Sequence, residues 1–356
     1  MANWYTTREA VKTAARVNGV GVNAIIDNAI KGRSLEIDQV MRRFFIPRTE
    51  TRYYEWPPRL AFARRSRATV LNLDQDLISI TTLQTQAQDS SPTTISSSDY
   101  FLEPNNQGPP YDRVEINTSS TAALAAGDTS QRSLSVLGLW GYSNDTRAAG
   151  TVVSGLAGSS SATSMVVSDG SLVDVGSTLI IDSEQIFVTE RSAAALDSVL
   201  IDGALAASLS EVSITVDSGH GIGDGETIMV DSEKMSVTSS TATVLTVTRA
   251  HDGTAVAAHS DDTAIQVFRT LTIVRGVNGT TAATHANSTA ITVSVPPANI
   301  SELCLAETLA MVAQHTSSWG RNVGTGEGSR EFLGRNLGAL RENARGLYQR
   351  YRSAAI

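Results

Sequence analysis

Cysteine is almost missing from this chain: Cys304 stands alone among 356 residues. A lone thiol excludes an intrachain disulfide and a cysteine-based zinc cluster, and it fits assembly in a reducing cytoplasm. Lysine is nearly as scarce. Only Lys12, Lys31 and Lys234 share the positive charge with arginine. Guanidinium groups make planar, multi-donor contacts to carboxylates and phosphates, so the bias suits protein interfaces or nucleic acid, although a GC-rich genome produces the same ratio. No uninterrupted apolar run reaches the roughly 18 residues that would suggest a membrane helix, so no membrane partner is expected. The opening MANWYTTREAVKTAARV is charged and lacks an apolar signal segment, which reads as mature sequence. Catalytic signatures are missing too: there is no nucleophile elbow, no H-E-x-x-H and no P-loop. The expectation is a non-enzymatic protein with no cofactor and no bound metal.

What is present is unevenly spread. Residues 150–295 hold 16 acidic and 5 basic groups, whereas the remaining 210 hold 20 acidic and 23 basic. Of the aromatic residues, only Phe187 and Phe268 lie in that acidic stretch. Two compositions in one chain predict separate domains in separate environments.

The acidic stretch contains a duplication. TSMVVSDGSLVDVGSTLIIDSEQIFVTE (163–190) returns 49 positions later as VSITVDSGHGIGDGETIMVDSEKMSVTS (212–239), and Asp182-Ser183-Glu184 falls on Asp231-Ser232-Glu233. TVTRAHDGTAVAAHSDDTAI (246–265) returns as TIVRGVNGTTAATHANSTAI (272–291), now offset by 26. The change of offset means that one copy is inserted into a loop of the other. Module one is expected over 150–196 and 269–295, with module two nested at 197–268. Both are rich in Val, Ile, Thr and Ser broken by Gly and Asp turns, which predicts all-β modules. Asp-Ser-Glu between two strands predicts a tight hairpin with polar turn chemistry. Both copies end in R-x-x-[DN]-G-T-x-A-x-x-H, which pairs Arg249 with Arg275 and His259 with His285. Repeats preserve whatever closes the module, and a lone imidazole makes a poor ligand set, so a structural, module-closing role is expected for these four. The loop from Gly219 to Gly225 has Asp224 where a dinucleotide fingerprint needs its third glycine. Module two is expected at the far end of module one, pointing away from the rest of the chain, because a folded guest needs only adjacent termini.

The flanks, 1–149 and 296–356, have a different character. Thr6 and Glu9 fit a capping box ahead of a short helix ended by Gly19 and Gly21. A longer helix follows over about 22–45, with Ile26, Ile30, Ile37, Val40, Met41 and Phe44 on one face and Pro47 as its stop. VLNLDQDLISITTLQ (70–84) alternates like a strand, and RSLSVLGLWGYS (132–143) reads as a strand pair around Gly138. Helix returns over 295–316, led by Pro297. The tail from Arg330 to Arg352 carries six Arg, with Tyr348 and Tyr351 interleaved.

The order of these flanking segments, with VLGLWGYS (136–143) running on to PPANISELCLAETLAMVAQ (296–314), resembles bacteriophage head–tail connector adaptors, the small proteins that form a ring beneath the portal of long-tailed phages. The resemblance implies an α+β multidomain chain: a helical-bundle adaptor core with a short β region, interrupted here by the two β modules. It further implies a virion protein assembled in the host cytoplasm as a homo-oligomer, commonly a twelve-fold ring around the DNA channel. Its partners would be the portal protein, a downstream connector or tail protein, and transient channel DNA. Arg341, Arg345, Tyr348, Arg350, Tyr351 and Arg352 are expected to form a portal-docking tail, since Arg and Tyr are enriched at interface hot spots. They are expected to be ordered only against that partner. A second cluster, Arg42, Arg43, Arg48, Arg52, Arg64, Arg65 and Arg67, is expected to serve subunit–subunit ion pairs or the DNA channel. The competing reading is an adhesin or tail-fibre-like protein whose β modules bind glycan or a cell surface.

Overall fold

The structure is a computed structural model that describes residues 3–57, 69–316, 322–323, 330–331 and 334–350. The chain is predominantly β. Two antiparallel sheets, of six and ten strands, dominate it, and four helices occur among the described residues. The expected helical-bundle core is therefore overturned. The reason lies in residues 48–140, which the resemblance compresses into a short β region. They form a complete sheet with its own apolar core.

That sheet comprises β1 (Arg48–Tyr54), β2 (Val70–Thr85), β3 (Thr93–Ile95), β4 (Tyr100–Glu103), β5 (Tyr111–Ile116) and β6 (Leu134–Trp140), in the order β1-β6-β2-β5-β4 with β3 beside β2. Alternation sends Leu134, Val136 and Trp140 inward against Leu77, Leu83 and Val114. Gly138 does not divide β6 into two strands. It is glycine because a Cβ there would lie 2.4 Å from the Ser79 carbonyl oxygen of the neighbouring strand.

The helices gather separately. In α1 (Arg8–Ala15) the cap is Thr7, whose hydroxyl accepts from the Ala10 amide, and not Thr6. Glu9 accepts from Val175 N–H in the inserted region, so the expected capping box does not form. Both α1 and α2 (Asn23–Met41) end on an arginine in the left-handed region, Arg16 and Arg42, ahead of the glycines and proline expected to stop them. Ile26, Ala29, Ile30, Ile37 and Met41 form the buried face of α2. They pack with Ile300, Leu303, Cys304 and Val312 of α3 (Ala298–Thr316) and Ala344 of α4 (Gly334–Tyr348). Phe45 sits at the join, with ring centroids 5.6 Å from Tyr5, 5.8 Å from Tyr142 and 5.6 Å from Tyr348. The segment from Trp4 to Ile46, Tyr142 just after β6, and α3 and α4 thus share one core.

The ten-stranded sheet holds both modules. Module one contributes β7 (Thr146–Thr151), β8 (Ser164–Val166), β9 (Thr178–Ile181) and β16 (Ala290–Ser294); module two contributes β11 (Ser213–Thr215), β12 (Thr227–Val230), β13 (Glu233–Ser240) and β14 (Val244–Thr248). Two long strands, β10 (Glu184–Leu200) and β15 (Ala264–Val274), pair antiparallel and run through both. The apolar cores are separate and built from equivalent positions: Val152, Leu179, Ile181 and Ile186 in one, Ile201, Ile228, Val230 and Met235 in the other.

Both insertion points are closed by chain pairing. Thr146 opposes Ser294, and Val295 N–H donates to Asp145 C=O at 2.9 Å. One level in, Ala195 opposes Gln266. Adjacent ends let each host keep its fold around its guest.

Candidate functional site

The duplicated polar residues converge on the same construction twice. Asp182 and Asp231 turn the β9–β10 and β12–β13 hairpins in the left-handed conformation. That turn places Glu184 and Glu233 at the start of the returning strand, fully buried. Arg275 grips Glu184 with two bonds, Nε at 2.7 Å and Nη2 at 2.6 Å. Arg249 grips Glu233 the same way, at 2.7 and 2.7 Å. Each carboxylate also accepts from two backbone amides, of Gly276 and Ala283 or of Ala250 and Ala257. His285 and His259 place Nε2 at 2.9 and 3.0 Å from the same carboxylate and Nδ1 at 2.8 and 2.7 Å from Asp182 and Asp231. The remaining arginine donors reach the carbonyls of Ala157 and Ala283, or of Ala206 and Ala257.

Burial alone would raise the pKa of these glutamates. The guanidinium, the amides and the imidazole outweigh it and hold Glu184 and Glu233 down at about 2. Arg275, His285, Arg249 and His259 thus tie the R-x-x-[DN]-G loop to the hairpin, with their polar atoms engaged by one another. The glutamates are the members that sequence reasoning missed. Their signal was the third residue of a duplicated Asp-Ser-Glu, which was read as turn chemistry alone. Among the described residues no group of three His, Cys, Asp or Glu is arranged to hold a metal.

A second paired device lies beside each knot. Asn278 and Asp252 occupy equivalent left-handed positions followed by Gly279 and Gly253. Asn278 Nδ2 donates to Asn3 at 2.8 Å and to Gln185 at 2.7 Å, and Gln185 Nε2 donates to Pro47 C=O at 3.0 Å. A Cβ on Gly279 would lie 1.9 Å from Thr49 C=O. Module one is thereby seated on the N-terminal segment and on β1. In module two, Asp252 accepts from Lys234 at 2.8 Å and pairs with Lys12 of α1, while a Cβ on Gly253 would lie 2.8 Å from Gly19 Cα. Module two therefore lies against α1 and does not point away from the flanking unit, as adjacency of termini alone had suggested.

The arginines of the flanks are mostly engaged within the chain. Arg43 pairs with Asp76 at 3.4 Å and lies 5.2 Å from the Tyr142 ring centre. Arg48 pairs with Asp38 at 3.4 Å and lies 3.9 Å from the Phe44 ring centre. Arg52 bonds Glu50 at 2.6 Å and Asp74 at 2.8 Å. These three form ion pairs within the chain, and Arg42 alone of Arg42, Arg43, Arg48 and Arg52 is exposed. Arg64, Arg65 and Arg67 lie outside the described residues.

The tail is folded inward as far as it is described. Arg341 Nε donates to Glu307 at 2.6 Å, and Arg345 lines a cavity of about 60 Å³ between α2, α3 and α4. Tyr348 packs on Phe45 and, at 5.2 Å between centroids, on Tyr142. Arg350 donates to Asp76 at 2.9 Å and to Leu73 C=O at 2.8 Å. As far as Arg350 the segment packs against the chain's own core. Tyr351 and Arg352 lie outside the described residues. No helix among the described residues is long and apolar enough to cross a membrane. No protein-family profile matches this chain, and no curated protein matches it.

Proposed function

We propose that this chain is a structural virion protein, an adaptor of a phage head–tail connector that assembles as a ring around the DNA channel between the portal and the next connector or tail protein. Its working part is the discontinuous unit 1–149 with 296–356, and the β modules are decoration held on that unit's surface. One observation carries the reading. The helices before and after a long insertion meet in a single apolar core, and the insertion leaves and returns at paired residues. An ancestral adaptor that acquired a guest in one loop would have that construction. A ring needs a heterologous contact whose rotation closes. Arg42, the exposed one among the described arginines of its cluster, is the position assigned to the subunit contact or the channel wall.

The buried state of both Glu–Arg–His knots also favours a structural role over ligand binding, because their donors and acceptors are already engaged with one another. Native mass spectrometry of the purified chain is expected to show one closed cyclic oligomer. A monomer or trimer, with glycan bound by residues 150–295, would instead support the adhesin reading and overturn this one.

A further inference from the structure

The two modules are attached to the flanking unit by equivalent turns of unlike chemistry. Module one's turn is seated through neutral amides, Asn278, Asn3 and Gln185, with Gln185 reaching the Pro47 carbonyl, and elsewhere Glu190 of the module pairs with Arg8 of α1 at 2.8 Å. Trp4 adds an edge contact to Phe187, at 5.5 Å between centroids. Module two is seated through charge, with Asp252 held between Lys12 and Lys234. The side chains of Lys12 and Asp252 keep 14% and 16% exposure, so solvent ions reach them.

The contact between the modules is polar and converges on Glu226. Gly170 N–H donates to Glu226 Oε1 at 2.9 Å. Ser171 faces Gly225, where an added Cβ would stand 3.3 Å from the serine Cβ. Glu226 is gripped by Arg269 at 2.7 and 2.6 Å, and Arg269 also donates to Gly221 C=O. Arg269 opens the returning segment of module one, where its C=O accepts from Val167 N–H at 3.0 Å, so its grip on Glu226 is an ion pair between the modules. The two apolar clusters have no residue in common.

The connection between the modules is the β10–β15 ribbon. It is irregular where it crosses from one module to the other, with register shifts between Ser192 and Ala194 and again between Ala195 and Leu200. Ser192, Ala194 and Ala195 are exposed. Inter-domain contacts that are polar permit relative motion, and bulged strand segments absorb the backbone change.

We propose that module two is a hinged arm. It rotates about the irregular step of the ribbon at Ala193 and Phe268–Arg269, and it is latched against α1 by the Lys12–Asp252 pair and against module one by the Gly170 amide and the Arg269 guanidinium on Glu226. Opening leaves the Glu233–Arg249–His259 knot and the module core intact. Because the α1 latch is a partly solvated ion pair, salt and loss of one charge both shift the arm toward the open state.

Single-molecule energy transfer tests this. Dyes are placed on Gln39→Cys in α2 and Ser218→Cys in module two, with buried Cys304 left in place. The closed arm gives one narrow transfer peak at low salt. Lys12→Ala is expected to raise a second, low-transfer population about fivefold to tenfold, and 0.5 M salt is expected to raise it in the unsubstituted chain. One unchanged peak in Lys12→Ala at both salt concentrations overturns the proposal. Amide exchange on the same variant separates opening from unfolding. Protection retained in β12, β13 and β14 accompanies an arm that opens as a body, whereas lost protection there makes the latch part of the module's folding and also overturns the proposal. Single chains are observed, so ring formation does not affect the outcome.

Discussion

Arg249→Ala is expected to unfold module two while leaving module one folded, and Arg275→Ala to do the reverse. Each substitution leaves a buried glutamate, Glu233 or Glu184, without its bidentate partner. It also frees the backbone carbonyls that the guanidinium had satisfied, those of Ala206, Ser208, Glu211 and Ala257 for Arg249 and of Ala157 and Ala283 for Arg275. Breaking a buried pair from one side costs about 3–5 kcal/mol, which is a large share of what an isolated β module of this size can hold. Limited proteolysis and amide exchange on each variant report which module opens. Equal damage to both modules would show that the two cores are not independent. The same knots set an acid limit. Glu184 and Glu233 have folded pKa values of about 2, against an ordinary 4.5. A depressed carboxyl contributes stability that is fully present above the unfolded value and is lost as pH falls through the folded one. Both modules should therefore lose stability between roughly pH 4.5 and pH 2, and Glu→Gln at either position should flatten that loss for its own module alone.

Phe45→Ala is the second substitution with a large expected effect. Its ring is 1% exposed and contacts Tyr5, Tyr142 and Tyr348 edge-on or tilted. Truncating a buried phenylalanine costs about 3–5 kcal/mol through lost transfer energy and the cavity left behind. Here the loss is not local, because Tyr5 comes from the N-terminal segment, Tyr142 from the segment just after β6 and Tyr348 from α4. Helix α4 should release first, since Tyr348 and Ala344 are among its main buried anchors. Amide exchange is expected to show loss of protection in α4 ahead of α2 and α3. Unchanged protection in α4 would mean that it is held by Arg341–Glu307 and Arg350–Asp76 instead.

The sequence made the nested duplication readable because it is recorded twice. Two offsets, 49 and 26, show one copy breaking off and resuming around the other, and in the structure Thr146 pairs with Ser294 and Ala195 with Gln266. Strand positions in the modules followed from alternation of apolar side chains. The sheet of residues 48–140 was underestimated because its strands are far apart in sequence. β1 pairs with β6 across about 85 residues, and nothing local announces such a partner. Helix ends were misplaced for a different reason: Arg16 and Arg42 adopt a left-handed backbone that glycine would usually supply. The knots were half readable. Arg and His stood out as repeated polar residues, whereas Glu184 and Glu233 were hidden inside a turn motif whose bland reading was sufficient. Charge partners such as Lys12 with Asp252 join residues 240 positions apart, and composition cannot pair them.

The helices at the two ends of the chain share one apolar core, which the β modules interrupt only in sequence. The Val295 N–H to Asp145 C=O bond is the bond that closes a β-turn, so Asn-Gly in place of residues 146–294 should join the ends without strain. Amide exchange on that shortened chain is the direct test. Helices α2 and α3 are predicted to remain protected and to lose protection together in one cooperative step. A chain in which α2 stays protected while α3 exchanges freely, or in which neither is protected, would contradict the account.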